Sequence, residues 1–226
     1  MKSLPKAVIF DLDGTLVVST VDFMKFRKRL LDYIKTKGAD MRDYDLSQMI
    51  VVMISKFESE MRRKGVPEEV IQGYLDDIEK FLNEIELERI DETVPMPGAE
   101  ELLRALREKG VKIGVLTRGC PEYAEKALKI SGLDRYVDAV VARDRKSGIS
   151  PKPSVQSAEA ILKKLDITPD EAVMVGDYSI DFVCARDSRI RFIGLSSGER
   201  SKADLKNCGC RDIAENLEEV GRLLGL

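Results

Sequence analysis

Asp11 and Asp13 flank Leu12 at the end of the apolar run Ala7–Phe10, in the stretch VIFDLDGTLV. Alternate residues of an extended segment point the same way, so two carboxylates at this spacing can reach one substrate. One can attack while its neighbour moves a proton. Gly14 lets the chain turn after them, and Thr15 is expected to brace the turn. Other polar residues follow other apolar runs: Thr117 after the second, Gly176-Asp177 after the fourth with Asp181 shortly beyond, and Lys152 within Ser150-Pro151-Lys152-Pro153. Carboxylates gathered in one crevice repel, by roughly 4 kcal/mol for two unit charges 4 Å apart at an effective dielectric of 20, so positive charge must sit among them. Hard oxygen donors suit Mg2+, which binds one or two carboxylates alongside substrate phosphate. With Lys152 it would attract a phosphate dianion. Thr117 and the backbone N–H groups of the turn after it would hold phosphate oxygens. The chain contains no histidine, so Ser-His-Asp and Cys-His mechanisms are excluded.

The elements that must position these groups are legible in the apolar pattern. Ala7–Phe10, Val111–Leu116, Val137–Val141, Ala172–Val175 and Arg191–Leu195 read as strands. Helical spacing separates most of them, in Gly98–Lys109, Val155–Leu165 and the tail Ile213–Leu224. Alternation of this kind with continuous apolar strands predicts an α/β fold, a Rossmann-like parallel sheet covered on both faces, with ligands at the strands' C-terminal ends. Residues 18–93 break the rhythm. Asp22–Lys37, with Phe23, Phe26, Leu30 and Ile34 on one face, Leu46–Lys64, and a third helix after Pro67 predict a helical insert. Val94–Gly98 reads as the return linker. The expected division is a core of residues 1–17 and 94–226 and an insert of residues 18–93.

The 226 residues, 43% hydrophobic and 34% charged, suffice for a core and an insert. A net charge of −3 offers no general attraction to nucleic acid or anionic lipid. No segment reads as a signal or membrane span, so a cytoplasmic protein without nucleic-acid or membrane partners is expected. Cys120, Cys184, Cys208 and Cys210 are then expected as reduced thiols. Cys208-Gly209-Cys210 has no second half-site for zinc.

Taken in order, DLDGT at Asp11–Thr15, Thr117, Lys152 before a proline and GDYSID at Gly176–Asp181 resemble the four motifs of the haloacid dehalogenase-like (HAD) superfamily. The resemblance spans nearly the whole chain, including the insert, which is similar to the family's cap domain. Within the family it is closest to phosphoglycolate phosphatase-like hydrolases. It implies a Mg2+-dependent phosphatase acting on a small phosphorylated metabolite, such as phosphoglycolate or a sugar phosphate, through an aspartyl-phosphate intermediate. A helical cap would close over the crevice. Asp11 would be the nucleophile, and Asp13 general acid and then base. Asp11 and Asp177 would bind the metal with the Asp13 backbone carbonyl, Asp181 joining them directly or through a further partner. Thr117 and Lys152 would hold the phosphate, with Arg118 a candidate partner. Asp13 favours phosphoryl transfer over dehalogenation, since family dehalogenases lack it. Many relatives carry Asn where this chain has Arg118, and Asp-Ser where it has Val18-Ser19; both departures touch substrate recognition.

Competing readings are weaker on specific grounds. An EF-hand over Asp11–Asp22 would need glycine where Leu16 stands and glutamate where Asp22 stands. A receiver domain gathers similar groups but is far shorter and has no insert. Asp181 alone would suit a first helical turn, and Arg62-Arg63-Lys64 suits a helix C-terminus. A phosphomutase on a sugar phosphate would share this core, and a non-catalytic phospholigand-binding module would share the fold. The expected assembly is a monomer or homodimer.

Overall fold

The computed structural model describes residues 4–196 and 198–226. In chain order its elements are β1 (Ala7–Phe10), β2 (Val17–Val18), α1 (Phe23–Thr36), α2 (Ile50–Arg63), α3 (Glu68–Leu87), β3 (Val94–Pro95), α4 (Ala99–Glu108), β4 (Lys112–Leu116), α5 (Pro121–Ile130), β5 (Ala139–Val141), α6 (Val155–Leu165), β6 (Ala172–Gly176), α7 (Ser179–Asp187), β7 (Arg191–Leu195), α8 (Glu199–Asn207), β8 (Ile213–Ala214) and α9 (Leu217–Leu224). They divide into two compact units. One is the chain through Ser19 joined to Asp91–Leu226; the other is Thr20–Ile90.

The first unit is an α/β fold around a parallel sheet in the order β5-β4-β1-β6-β7-β8. β1 lies at its centre because both of its faces are apolar: Ala7, Val8, Ile9 and Phe10 have no exposed surface. Burying such side chains is worth about 1.5–3 kcal/mol each. Phe10 is in register with Val115 of β4 and Val175 of β6, so three neighbouring strands end at one level. The residues that follow them therefore emerge along one rim. β2 and β3 form a separate two-stranded antiparallel pair, Val17 opposite Pro95 and Val18 opposite Val94. The segment expected as a return linker is thus partly a strand, and Pro95 is tolerated because its strand has only one partner.

Two further differences from the sequence pattern have local causes. Ile213 and Ala214 pair with β7 instead of opening the last helix. Asn216 caps that helix, accepting from the Glu219 backbone N–H at 2.9 Å, and so fixes where it begins. α2 begins at Ile50 rather than near Leu46. There the Asp45 carboxylate accepts from the Ser47 backbone N–H at 2.7 Å, a local turn that competes with helix.

The second unit is a three-helix cluster with its own core. Phe26, Leu30 and Ile34 of α1 meet Met53, Phe57 and Met61 of α2 and Ile71, Leu75, Ile78, Phe81, Leu82 and Ile85 of α3. Asp22 caps α1, accepting from the Lys25 backbone N–H at 2.8 Å. Phe23, expected in this core, is instead 44% exposed. It is the first residue of α1 and sets its ring edge-on against Phe26, with centroids 6.0 Å apart. The basic residues ending α2 are engaged locally, Arg62 with Glu58 and Glu68 and Lys64 with Glu60.

Glu60 is the polar exception in this unit, buried on α2. It accepts from the Asp40 backbone N–H at 2.8 Å, the Tyr44 hydroxyl at 2.8 Å and the Lys64 ammonium at 2.6 Å. Burial opposes its charge, but these three donors together hold its carboxyl below the ordinary value. Glu60→Gln is therefore expected to destabilise the protein by about 2 kcal/mol at neutral pH, because buried donors lose a charged acceptor. A carboxyl depressed on folding stabilises fully above its unfolded value near 4.5. The difference between wild type and variant should therefore shrink as pH falls below that value. Urea unfolding of both proteins across the acid range checks this; a gap independent of pH would exclude the ionised network.

Candidate active site

The site is built where β1, β4 and β6 end. Asp11 follows β1 directly, and its backbone N–H donates to the Val175 carbonyl of β6 at 2.9 Å, so its position is fixed by the sheet. Leu12 and Asp13 lead into a tight loop in which the Leu16 and Val17 N–H groups donate to the Leu12 carbonyl at 2.9 and 3.0 Å. Gly14 is required there twice over. Its φ is +78°, and a Cβ on it would lie 2.5 Å from Oδ2 of Asp177. Thr15 braces the loop through its backbone N–H, which donates to the Leu12 carbonyl at 3.3 Å, and not through its side chain: it is wholly buried, and its hydroxyl has no partner among the described residues.

Lys152 joins the carboxylates. Its ammonium donates to Oδ1 of Asp11 and, at 2.6 Å, to Oδ1 of Asp181, and it is only 1% exposed. It reaches this point from the loop between β5 and β6, where the Lys152–Pro153 peptide is cis. Asp181 lies in the first turn of α7, and its second oxygen accepts from the Tyr178 backbone N–H at 3.2 Å. Asp181 thus both caps the helix and meets the buried lysine. Oxygens of Asp11, Asp177 and Asp181 all lie within 4.8 Å of one another, and all three residues are buried. Burial pushes the Asp11 carboxyl up, Asp181 and Asp13 adding to the rise and Lys152 opposing it. Burial also works against the Lys152 charge, but Asp11 and Asp181 outweigh it and hold the ammonium above its ordinary value.

This arrangement fits a small divalent cation. Three buried carboxylates lie together and the Lys152 ammonium meets two of them, so negative charge is concentrated in a poorly solvated place, and the donors are all hard oxygens. The Asp13 side chain lies outside that cluster; it accepts instead from the Tyr123 hydroxyl at 2.5 Å.

Thr117 follows β4, and its backbone N–H donates to the Val141 carbonyl at 3.0 Å. Its hydroxyl accepts from the Gly119 N–H at 2.9 Å, which shapes the turn into α5. Arg118 donates through its guanidinium to the Lys152 backbone carbonyl, so it contacts the loop that carries the buried lysine. Cys120 is the buried N-cap of α5, and all four cysteines are free thiols. Sequence reasoning brings out the residues at the strand ends but misses those that hold the turns. Arg143 donates from Nε to the Arg118 carbonyl at 2.8 Å, and its N–H donates to the Gly119 carbonyl at 3.0 Å. Ser201 donates to the Asp177 carbonyl at 2.6 Å. Neither lies in a motif; both are found only by the contact they make.

The model of the family described as haloacid dehalogenase-like hydrolase matches residues 8–195, a span that contains nearly all of these groups, Ser201 lying just beyond it. The chain belongs to that family. As a HAD-like hydrolase it is similar to pyrophosphatase PpaX of Bacillus cereus, 28% identical over 200 residues covering 88% of this chain and 87% of that protein. Among solved structures it resembles a predicted phosphatase from Clostridium acetobutylicum, 25% identical with a TM-score of 0.68 over 99% of this chain and 100% of the other. It also shares its fold with a HAD-superfamily hydrolase from Ehrlichia chaffeensis, 18% identical with a TM-score of 0.59 over 99% and 98% of the two chains. Among the described residues, no helix of this HAD-like hydrolase is long and apolar enough to cross a membrane.

The buried ammonium makes a prediction for the hydrolase that needs no substrate. Lys152→Met keeps much of the apolar stem but removes the charge, leaving Asp11 and Asp181 buried without their common partner. The variant is expected to lose about 3–5 kcal/mol of stability at neutral pH in the presence of EDTA. Denaturant titration reads this directly, and wild-type stability in the variant would show that the ammonium does not compensate the cluster.

Proposed function

We propose that this hydrolase is a Mg2+-dependent phosphatase that cleaves a small phosphomonoester through an aspartyl-phosphate on Asp11. The observation that carries the reading is the Lys152 ammonium bonded to both Asp11 and Asp181, beside Asp177. It keeps a carboxylate in place for attack at the centre of an otherwise apolar sheet. Bound Mg2+ would be held by Asp11, Asp177 and Asp181 with the Asp13 backbone carbonyl, and it would supply positive charge to the phosphate and to the carboxylates around it.

The chain's own residues divide the work. An Asp11 oxygen attacks phosphorus, and the bond to the leaving oxygen breaks with its electron pair. Asp13 gives that oxygen a proton, then takes one from the water that attacks the acyl phosphate. Phosphate departs and both carboxyl groups return to their starting forms. An ammonium has three N–H bonds; two of those on Lys152 hold Asp11 and Asp181, leaving one for a phosphate oxygen. The Thr117 hydroxyl and the turn N–H groups after it would bind the other oxygens. One arm of the Arg118 guanidinium holds the Lys152 carbonyl, and its remaining donors would serve a substrate oxygen. The substrate class is a small phosphorylated metabolite such as phosphoglycolate or a sugar phosphate. The PpaX relatives make inorganic pyrophosphate a compound to test beside them.

The test is phosphate release from p-nitrophenyl phosphate, phosphoglycolate, glucose phosphates and pyrophosphate, with Mg2+ or with EDTA. Release is expected with Mg2+ only, and Asp11→Asn is expected to reduce it by at least about 10³-fold while retaining the wild-type circular dichroism spectrum. Undiminished turnover by Asp11→Asn would remove the nucleophile. Isomerisation of a glucose phosphate without phosphate release would mean a phosphomutase, and phosphate binding without turnover of any compound would mean a binding module.

A further inference from the structure

Tyr123 is wholly buried, yet it carries a hydroxyl. A buried phenol needs a hydrogen-bond partner, and this one donates to Oδ1 of Asp13 at 2.5 Å, across 110 positions of sequence. The ring is held at the other end as well. Tyr123 lies in the first turn of α5, directly after the turn Thr117–Cys120. A Cβ on Gly119 would lie 2.6 Å from Cδ1 of Tyr123 and 3.4 Å from the Thr117 hydroxyl oxygen. Only glycine at 119 lets the ring lie flat against that turn. The loop after β1 and the turn after β4 are thereby linked through one rigid side chain.

We propose that Tyr123 is a positioning residue for Asp13, holding the carboxyl group in the orientation that serves the leaving oxygen. The inference builds on the phosphatase reading and adds a residue to it. Asp13 sits on a loop outside the carboxylate cluster, and its Oδ1 accepts from the Tyr123 hydroxyl. Proton delivery depends on alignment, and a displacement of about 1 Å can cost on the order of 10²-fold. In the step concerned, the Asp11 oxygen forms its bond to phosphorus, the leaving P–O bond breaks, and the Asp13 proton passes to the departing oxygen. An alkoxide needs that proton to leave. A p-nitrophenolate ion does not, because its charge is delocalised over the ring and nitro group. Misplacing Asp13 should therefore penalise alkyl phosphates selectively.

The experiment compares kcat/KM, which reports the chemistry through transfer to Asp11, for wild type and Tyr123→Phe. The probes are p-nitrophenyl phosphate and whichever of phosphoglycolate and glucose phosphate the wild type turns over faster. The expected result is a loss of about tenfold or more on the alkyl phosphate and less than about threefold on p-nitrophenyl phosphate. Equal losses on both, or no loss, would overturn the positioning role and assign Tyr123 to packing. The same substitution in an Asp13→Asn background should leave the ratio of the two substrates unchanged, and a further change in that ratio would also overturn it. If Tyr123→Phe does not fold, Tyr123→Met, which keeps apolar bulk and removes the hydroxyl, must give the same selective loss. A wild type inactive on all probes would instead overturn the phosphatase reading, and this role with it.

Discussion

A lysine ammonium buried among carboxylates is the interaction on which the rest of this molecule depends. An isolated charge at that depth would be prohibitive, and a buried pair is worth having only when geometry is good on both sides. Here Lys152 meets Asp11 and Asp181 together, and each partner is fixed by something else. Asp11 is held by the Val175 carbonyl of β6, Asp181 by the Tyr178 N–H that precedes α7, and the lysine's own carbonyl by Arg118. The strand ends, the first turn of α7 and the loop before α6 are thus mutually dependent.

That dependence explains the sheet around the site. For Asp11 and Asp177 to meet, β1 and β6 must be neighbours in register, and the structure pairs Phe10 with Val175. The backbone must then let the Asp177 carboxylate pass close, which is the contact a side chain at position 14 would block. The apolar strands supply the stability that a crowded acidic rim consumes. Val8, Ile9, Phe10, Met174 and Val175 have no exposed surface, so the strands cannot shift register without moving large side chains through a packed interior. The site is rigid because its supports are the core itself.

Much of this architecture is legible in the amino-acid sequence. Continuous apolar runs mark the five principal strands, and their punctuation with Asp11, Thr117 and Asp177 marks the rim, because a buried parallel strand has to end where polar residues begin. What stays hidden falls into two physical kinds. Short elements such as β8 and the β2–β3 pair exist through partners distant in sequence; Ile213 fits a helix equally well until Asn216 caps the next turn. Supporting side chains such as Arg143, Ser201 and Tyr123 make hydrogen bonds to residues 25, 24 and 110 positions away, a relation that no local pattern encodes. Thr15 marks the opposite error: a residue type suited to bracing a turn with its side chain is buried with its hydroxyl unpartnered among the described residues.

The same distinction bears on Arg118. Along the sequence, an arginine directly after Thr117 invites assignment to the substrate. In three dimensions its guanidinium bonds the Lys152 carbonyl, while its own carbonyl accepts from Arg143. An arginine in this position couples two loops that a smaller amide would couple less firmly, since a planar guanidinium offers several donors at fixed angles. Arg118 therefore anchors the loop that carries the buried lysine. The carboxylates are thus fixed by the sheet and the helix that follows it, whereas the loops around them are tied by side chains that reach across from other loops.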